Sequence, residues 1–114
     1  MTPNRYVLNG VRVREEAYVV SGEDAGLMRG HAVFETLRTR HGQLFRGPHH
    51  VLRLLGSAGA LGIETAGHRT LLAELQDAVR GYDGPAKVNI VLTGGGRRLV
   101  RVSPLDERRL GAPI

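Results

Sequence analysis

Hydrophobic and polar residues alternate on both sides of an Asn-Gly pair near the start of the chain, over residues 6–13. Asn9 and Gly10 both tolerate a positive φ, which the type I′ turn of a two-residue hairpin requires. The segment therefore predicts a hairpin with two facing pairs, Leu8 with Val11 and Tyr6 with Val13. These four side chains share one face, and we expect that face to be buried against the core.

A second alternating stretch, residues 32–40, predicts a longer strand with two chemically mixed faces. One face carries Phe34, Thr36 and Arg38, and the other carries Val33, Glu35, Leu37 and Thr39. Because neither face is purely apolar, the strand is not typical of plain sheet packing. The glycine-punctuated segment 22–31 before it predicts a loop, and His41-Gly42 predicts a turn back through residues 43–46.

Two helical patterns occupy the middle of the chain. The first begins at Gly47-Pro48, because a proline at the first helical position loses no hydrogen bond, and it ends at Gly62. Its apolar stripe consists of Val51, Leu54, Leu55, Ala58 and Leu61. The second helix is predicted to be capped near Thr70 and to end at Arg80-Gly81. Its buried face consists of Leu71, Leu75, Ala78 and Val79.

Two apolar stretches near the end of the chain, residues 87–93 and 98–103, predict the last strands. Gly94-Gly95-Gly96 between them predicts a flexible loop. The order of elements predicts an α+β fold, a mainly antiparallel twisted sheet with two helices on one side. We assign residues 1–104 to this domain and residues 105–114 to a linker-like tail.

The composition is that of an ordinary folded domain: 41% of the 114 residues are hydrophobic and 24% are charged. No apolar run approaches the roughly 20 residues that span a bilayer, and the first residues do not have the pattern of a signal peptide. Cysteine is absent, which excludes disulfides and thiol nucleophiles. We therefore expect a cytoplasmic protein.

The net charge of +5 comes almost entirely from arginine, since Lys87 is the single lysine beside fifteen arginines. A basic balance is compatible with nucleic acid or with an anionic ligand. The arginines are scattered, however, and aromatic residues are only 4% of the chain, so platforms for stacking bases are scarce. The pattern favours a solvated arginine-rich surface over a nucleic-acid-binding patch.

The five histidines do not predict a metal site. His49 and His50 are adjacent, so on a helix their side chains diverge by about 100° and cannot easily share one metal. The other three, His31, His41 and His68, lie in separate predicted loops.

Two local features suggest anion binding, each with a plainer alternative. Arg53 lies beside His50 on the first helix, where a forked guanidinium is suited to a phosphate group. The alternative is a surface arginine that covers apolar neighbours. The glycines of 94–96 precede Arg97 and Arg98, which suggests an anion loop, although the spacing equally fits a hairpin turn and lacks the Lys-Ser/Thr of a P-loop.

Several short segments occur in an order typical of one enzyme family. They are Leu8-Asn9-Gly10, residues 26–38 with Phe34-Glu35-Thr36-Leu37-Arg38, residues 42–46, His50-x-x-Arg53-Leu54, Ser57-Ala58 and Leu61-Gly62-Ile63. In these segments the chain resembles the small N-terminal domain of the class IV (fold-type IV) pyridoxal-phosphate (PLP) enzymes, over about residues 5–104. That family contains branched-chain and D-amino-acid aminotransferases and aminodeoxychorismate lyases. The Phe-Glu-Thr-Leu-Arg segment leans slightly toward the lyase and D-amino-acid branches.

The resemblance implies roles for particular residues. Arg53 corresponds to the arginine that binds the cofactor phosphate. Substrate-binding positions fall on Phe34, Thr36, Arg29, Arg97 and Arg98. Of these, Arg29 stands where the family often has an aromatic residue. Arg97 and Arg98 are alternatives for the arginine that binds the substrate carboxylate.

The resemblance also implies that important groups lie elsewhere. In the family, a second domain supplies the lysine that bonds to PLP, and these 114 residues include no matching segment. Lys87 lies well upstream of that lysine, so we interpret it as a solvated residue at a strand start. The resulting hypothesis is the N-terminal half of an aminotransferase or lyase, inactive without a large domain, acting on an amino-acid or keto-acid substrate. The alternative is a non-catalytic module that binds anions or proteins. In either case we expect a dimer, a higher oligomer or a separately encoded partner domain.

Overall fold

The computed structural model describes residues 3–106 of the chain. Its strands are β1 (Arg5–Leu8), β2 (Val11–Val13), β3 (Ala32–Arg40), β4 (Gln43–Leu44), β5 (Ala86–Thr93) and β6 (Arg98–Pro104). Its α-helices are α1 (Ala25–Arg29), α2 (Gly47–Ala60) and α3 (His68–Val79), and a 3₁₀ turn covers Glu15–Ala17. Residues 107–114, most of the predicted tail, lie outside the described residues.

The six strands form one sheet in the order β2-β1-β6-β5-β3-β4, and every neighbouring pair is antiparallel. The helices α2 and α3 bury their apolar sides, including Leu54 and Leu75, against one face of this sheet. The inward side chains of β5 and β6, such as Val88 and Val102, are fully buried there. The predicted α+β fold, with two helices on one side of an antiparallel sheet, is therefore confirmed. We call the side of the sheet that these helices cover the helix face, and the opposite side the open face.

The first hairpin has the predicted register but not the predicted buried face. Leu8 pairs with Val11 and Tyr6 with Val13, around Asn9 and Gly10 with φ of 50° and 83°. The buried residue is nevertheless Val7, which is 5% exposed, whereas Val11 is 63% exposed. The expectation was wrong because β1 pairs with β6, and that register aligns Val7 with Val100 and Ile90 on the helix face.

One helix and two helix boundaries differ from the sequence prediction. The predicted loop 22–31 contains α1, because the Asp24 side chain accepts a hydrogen bond from the Gly26 N–H and caps the first turn. α3 begins at His68 rather than near Thr70, since the Gly67 carbonyl already accepts the first helical bond. α2 ends at Ala60, so Leu61 leaves the core stripe and is 49% exposed.

Among residues 3–106, no helix is long and apolar enough to cross a membrane. The same residues hold no group of three or more His, Cys, Asp or Glu side chains placed to bind a metal ion. Leu105 remains attached to the sheet, where its N–H donates to the Pro85 carbonyl.

Candidate functional site

The open face of the sheet brings Phe34 and Thr36 together, as strand alternation predicts. Thr36 lies in a cross-strand row with Asn89 and Arg101, and its hydroxyl accepts a hydrogen bond of 3.1 Å from the Asn89 side-chain amide. Phe34 lies two residues away and is 76% exposed. An exposed phenyl ring beside a hydroxyl–amide pair is a surface suited to contact with a ligand or with another protein segment.

A cavity of about 890 Å³ opens beside this surface, and four cationic side chains are among the residues that line it. The cations are Arg38, Arg46, Lys87 and Arg101, contributed by β3, the start of α2, β5 and β6. Thr36 and Ser103 add hydroxyl groups, and Asp106 adds a carboxylate at the border. Within the described part of the chain none of the four cations forms an ion pair. The cavity therefore favours an anionic ligand.

One aromatic ring contacts two of these cations, Arg38 and Arg46, and a third arginine outside the cavity, Arg40. The guanidinium carbons of Arg38, Arg40 and Arg46 lie 4.9, 5.5 and 5.7 Å from the centre of the Phe45 ring. Cation–π contacts of this kind contribute roughly 0.5–1 kcal/mol at exposed sites, which offsets part of the repulsion among the like charges. An anion bound between these arginines would offset the remaining repulsion among their charges.

Arg53 lies on α2 in a different environment. The Glu35 carboxylate, on the helix face of β3, contacts His50 Nδ1 at 2.6 Å and Arg53 at 3.7 Å. Glu35 is 10% exposed, whereas the Arg53 side chain is 65% exposed. The Arg53 side chain thus has one long ionic contact and is mostly exposed to solvent. His50 also lines the cavity, so it connects the Arg53 cluster to the open face.

The structure separates the two arginines that the sequence left as alternatives. The Arg98 guanidinium lies on the helix face and donates three hydrogen bonds, of 2.6, 3.0 and 3.1 Å, to the Glu74 carboxylate of α3. This bonding to Glu74 raises the pKa of Arg98. Arg97 precedes it in the β5–β6 loop, half-buried, with its backbone N–H bonded to the Thr93 hydroxyl. Arg97 thus remains the candidate for a substrate carboxylate.

The remaining predicted residue, Arg29, lies exposed at the end of α1. Among residues 3–106 it forms no ion pair, and it does not line the cavity. Its role in the substrate site stays a prediction.

Sequence reasoning missed the four-cation cavity and a buried carboxylate. Asp24 is 4% exposed and bonds to Thr93, Gly26 and Gly95. These bonds, the Thr93 hydroxyl first, lower the pKa of Asp24 despite its burial. The spacing Asp24-Ala25-Gly26 was the available signal for a helix cap, whereas the contact with residues 93–95 joins segments about 70 positions apart.

Comparison with known proteins identifies relatives of this fold. No family model matches the chain. The sequence is 35% identical over 88 residues to a D-alanine aminotransferase of Staphylococcus epidermidis, covering 77% of this chain and 29% of that protein. A branched-chain aminotransferase of Thermoproteus uzoniensis has a similar structure, with a TM-score of 0.79, 22% identity, and coverage of 90% of this chain and 41% of the other. A PLP-bound hypothetical aminotransferase of Mycobacterium tuberculosis is also similar in structure, with a TM-score of 0.81 and 20% identity. The match covers 96% of this chain and 42% of that protein.

The chain spans less than half the length of each of these relatives. The solved structures are at most 22% identical in sequence to this chain, so their similarity shows the fold alone. The D-alanine aminotransferase is similar in sequence as well, at 35% identity. The resemblance drawn from the motifs is therefore confirmed. This chain has the fold of the N-terminal domain of the fold-type IV aminotransferases, and over 88 residues its sequence is similar to that of a D-alanine aminotransferase.

Proposed function

We propose that the chain forms one side of the active site of a PLP-dependent aminotransferase or lyase. In this proposal Arg53 contacts the cofactor phosphate, and the open face forms a wall of the substrate site. The observation that carries it is the clustering of Phe34, Thr36 and a four-cation cavity on the one sheet face that the helices leave uncovered. The D-alanine aminotransferase relative supports an amino acid as substrate.

The residues present fit one part of a cofactor phosphate site, the arginine that contacts the phosphate group. Arg53 keeps hydrogen-bond donors available, because its side chain is 65% exposed, its contact with Glu35 is long, and His50 already occupies the other carboxylate oxygen. An arginine fork matches the geometry of a phosphate group. PLP, when bound, supplies an electron sink for reactions at the α-carbon of an amino acid. The described residues contribute the binding and orienting groups around it.

The charge of the cavity supports a substrate that carries a carboxylate. Arg38, Lys87 and Arg101 border it without ion-pair partners among residues 3–106, and Thr36 and Ser103 add hydrogen-bonding hydroxyls. A carboxylate bound there gains charge-assisted hydrogen bonds, which are about twice as strong as neutral ones. Amino acids and their keto-acid counterparts both carry this group.

Lys87 is not the cofactor's covalent partner in this proposal. It lies on the open face, opposite Arg38 in the register, whereas Arg53 meets Glu35 on the other side of β3. We therefore expect the isolated chain, incubated with PLP and then borohydride, to show no stoichiometric cofactor adduct on Lys87 by peptide mass mapping. Stoichiometric trapping at Lys87 would overturn the proposed division of roles.

Further tests use a chimera, in which this chain replaces the matching 88-residue segment of the S. epidermidis D-alanine aminotransferase. The relative's own remainder then supplies the second domain. Borohydride should trap PLP in the chimera on a lysine of that remainder and not on Lys87. A folded chimera that fails to bind PLP would contradict the proposal.

Thr36→Leu should change substrate choice in the chimera while leaving cofactor affinity within about two-fold. The bulkier side chain removes the hydroxyl that pairs with Asn89 and crowds the open face, but it does not contact Arg53. A pocket change of this size typically alters kcat/KM ratios by about 10–200-fold. Thr36→Ser, which keeps the hydroxyl, is the matched control. Equal kcat/KM profiles for both variants, across small and large amino acids, would remove Thr36 from the substrate wall.

The cavity also favours a second candidate function, a module that binds anions or a partner protein without catalysis. Four unpaired cations and the exposed Phe34 ring are compatible with such a role in the described part of the chain. A chimera that binds PLP and small carboxylates but shows no turnover would favour it.

A further inference from the structure

The buried Asp24 carboxylate joins the start of α1 to the β5–β6 loop. One oxygen, Oδ1, accepts hydrogen bonds from the Gly26 N–H at 2.7 Å and from the Gly95 N–H at 3.1 Å. The other oxygen, Oδ2, accepts the Thr93 hydroxyl at 2.7 Å. Because a helix cap needs only the first of these bonds, the other two serve the loop.

Thr93 links Asp24 to Arg97 through its side-chain hydroxyl. An ionised carboxylate only accepts hydrogen bonds, so the Thr93 hydroxyl must donate to Asp24, which leaves its lone pairs for the Arg97 N–H at 3.1 Å. Thr93 is 5% exposed, so water does not compete for these bonds. The Arg97 charge adds to the lowering of the pKa of Asp24, after the hydrogen bonds from Thr93, Gly26 and Gly95.

The glycines around this cluster show that its close packing is required. A Cβ on Gly95 would collide with the Asp24 carboxylate, and one on Gly26 would lie 2.8 Å from the Thr93 Cβ. The Gly94 N–H also donates to the His31 carbonyl at 2.7 Å. The loop before Arg97 is thus tied at three successive positions to the segment that leads into β3.

The Thr93 N–H donates to the Arg97 carbonyl at 3.0 Å, so Arg97 continues the β5–β6 pairing one position beyond Leu92 and Arg98. This register puts Arg97 in the alternation of Leu99 and Arg101, which lie on the open face with Phe34 and Thr36. We infer that Asp24 and Thr93 are positioning residues that set the location of Arg97 for binding the anionic group of the substrate. The inference rests on the proposed function, in which the open face forms a wall of the substrate site, and it adds Arg97, which does not line the cavity, as a further cation on that wall. Neither positioning residue needs to touch the substrate.

Amide hydrogen exchange on the full chain tests the positioning itself. Thr93→Val keeps the side-chain shape but removes both hydroxyl bonds, and Thr93→Ser keeps them. We expect exchange at the Arg97 and Gly95 amides to accelerate at least about ten-fold in Thr93→Val and by less than about two-fold in Thr93→Ser. Unchanged exchange at Arg97 in Thr93→Val would overturn the inference. Asp24→Asn, which keeps Oδ1 but cannot accept the hydroxyl at its amide nitrogen, gives the same readout if Thr93→Val does not fold.

Kinetics of the chimera test the link to substrate. Thr93→Val should raise KM for the amino acid about ten-fold with kcat within about two-fold, Arg97→Ala should raise it at least as much, and the double variant should equal Arg97→Ala alone. If Arg97→Ala raises KM and Thr93→Val does not, the inference is wrong while the proposed function stands. If Arg97→Ala has no effect although exchange at Arg97 responds to Thr93→Val, the assignment of Arg97 to the substrate has failed and the inference fails with it.

Discussion

Replacing Arg53 by alanine is expected to weaken PLP binding by the chimera at least about ten-fold. The side chain is 65% exposed and has one long ionic contact, so its guanidinium is available to a phosphate. A charge-assisted hydrogen bond contributes about 1.5–3 kcal/mol, which corresponds to a ten-fold or greater change in affinity. Titration of the apo-chimera with PLP, followed by the absorbance of the bound cofactor, measures this change.

The matched control is Arg69→Ala, which removes another exposed helical arginine, on α3. It should leave PLP affinity within about two-fold, because Arg69 lies neither beside Glu35 nor at the cavity. Wild-type affinity in Arg53→Ala, with the fold intact by circular dichroism, would show that the role assigned to Arg53 is wrong even though the fold is right.

The second large effect concerns stability. Arg98→Ala should lower the free energy of unfolding of the chain by about 2–4 kcal/mol, because it leaves the Glu74 carboxylate, 15% exposed, without the arginine that it now binds in a two-pronged contact. The measurement is urea unfolding followed by circular dichroism.

Arg80→Ala provides the comparison for Arg98→Ala. Arg80 pairs with Asp77 at 3.3 Å, and both side chains are more than 65% exposed. A pair of this kind contributes about 0–1 kcal/mol, so the loss should be small. Equal losses in the two variants would mean that the Arg98–Glu74 pair is not a structural bond, and Arg98 would return as a candidate for the substrate carboxylate.

Local patterns predicted the elements of this fold well. The Asn9-Gly10 turn determined the register of the first hairpin, and alternation along β3 separated Phe34 and Thr36 from Val33 and Leu37. Both signals depend on neighbours within a few residues, where backbone conformation and side-chain direction are directly coupled.

Features that depend on distant pairing were not accessible from local patterns. The buried face of the hairpin depends on β1 pairing with β6, more than 90 positions away, which brings Val7 next to Val100. The cavity combines side chains from β3, β5, β6 and the start of α2, and no local pattern indicates that these four elements meet there. The hydrophobic periodicity of the sequence does not indicate the order in which the strands lie in the sheet.

The candidate site shows the same division. Family resemblance indicated Arg53 and the Phe34–Thr36 surface, but it left Arg97 and Arg98 as equivalent choices. The difference between the two is one residue of strand register, which directs Arg98 to Glu74 on the helix face and leaves Arg97 in the loop. This difference depends on the register in which β5 and β6 pair, which the local sequence pattern does not give.

Turnover by the chimera tests the central claim most directly. If this chain forms one side of a PLP-dependent active site, the chimera supplied with PLP, D-alanine and a keto acid should produce pyruvate continuously, and the isolated chain should produce none. Arg53→Ala should reduce the rate at subsaturating PLP, and excess PLP should restore it. A folded, PLP-loaded chimera that forms no pyruvate would contradict the claim.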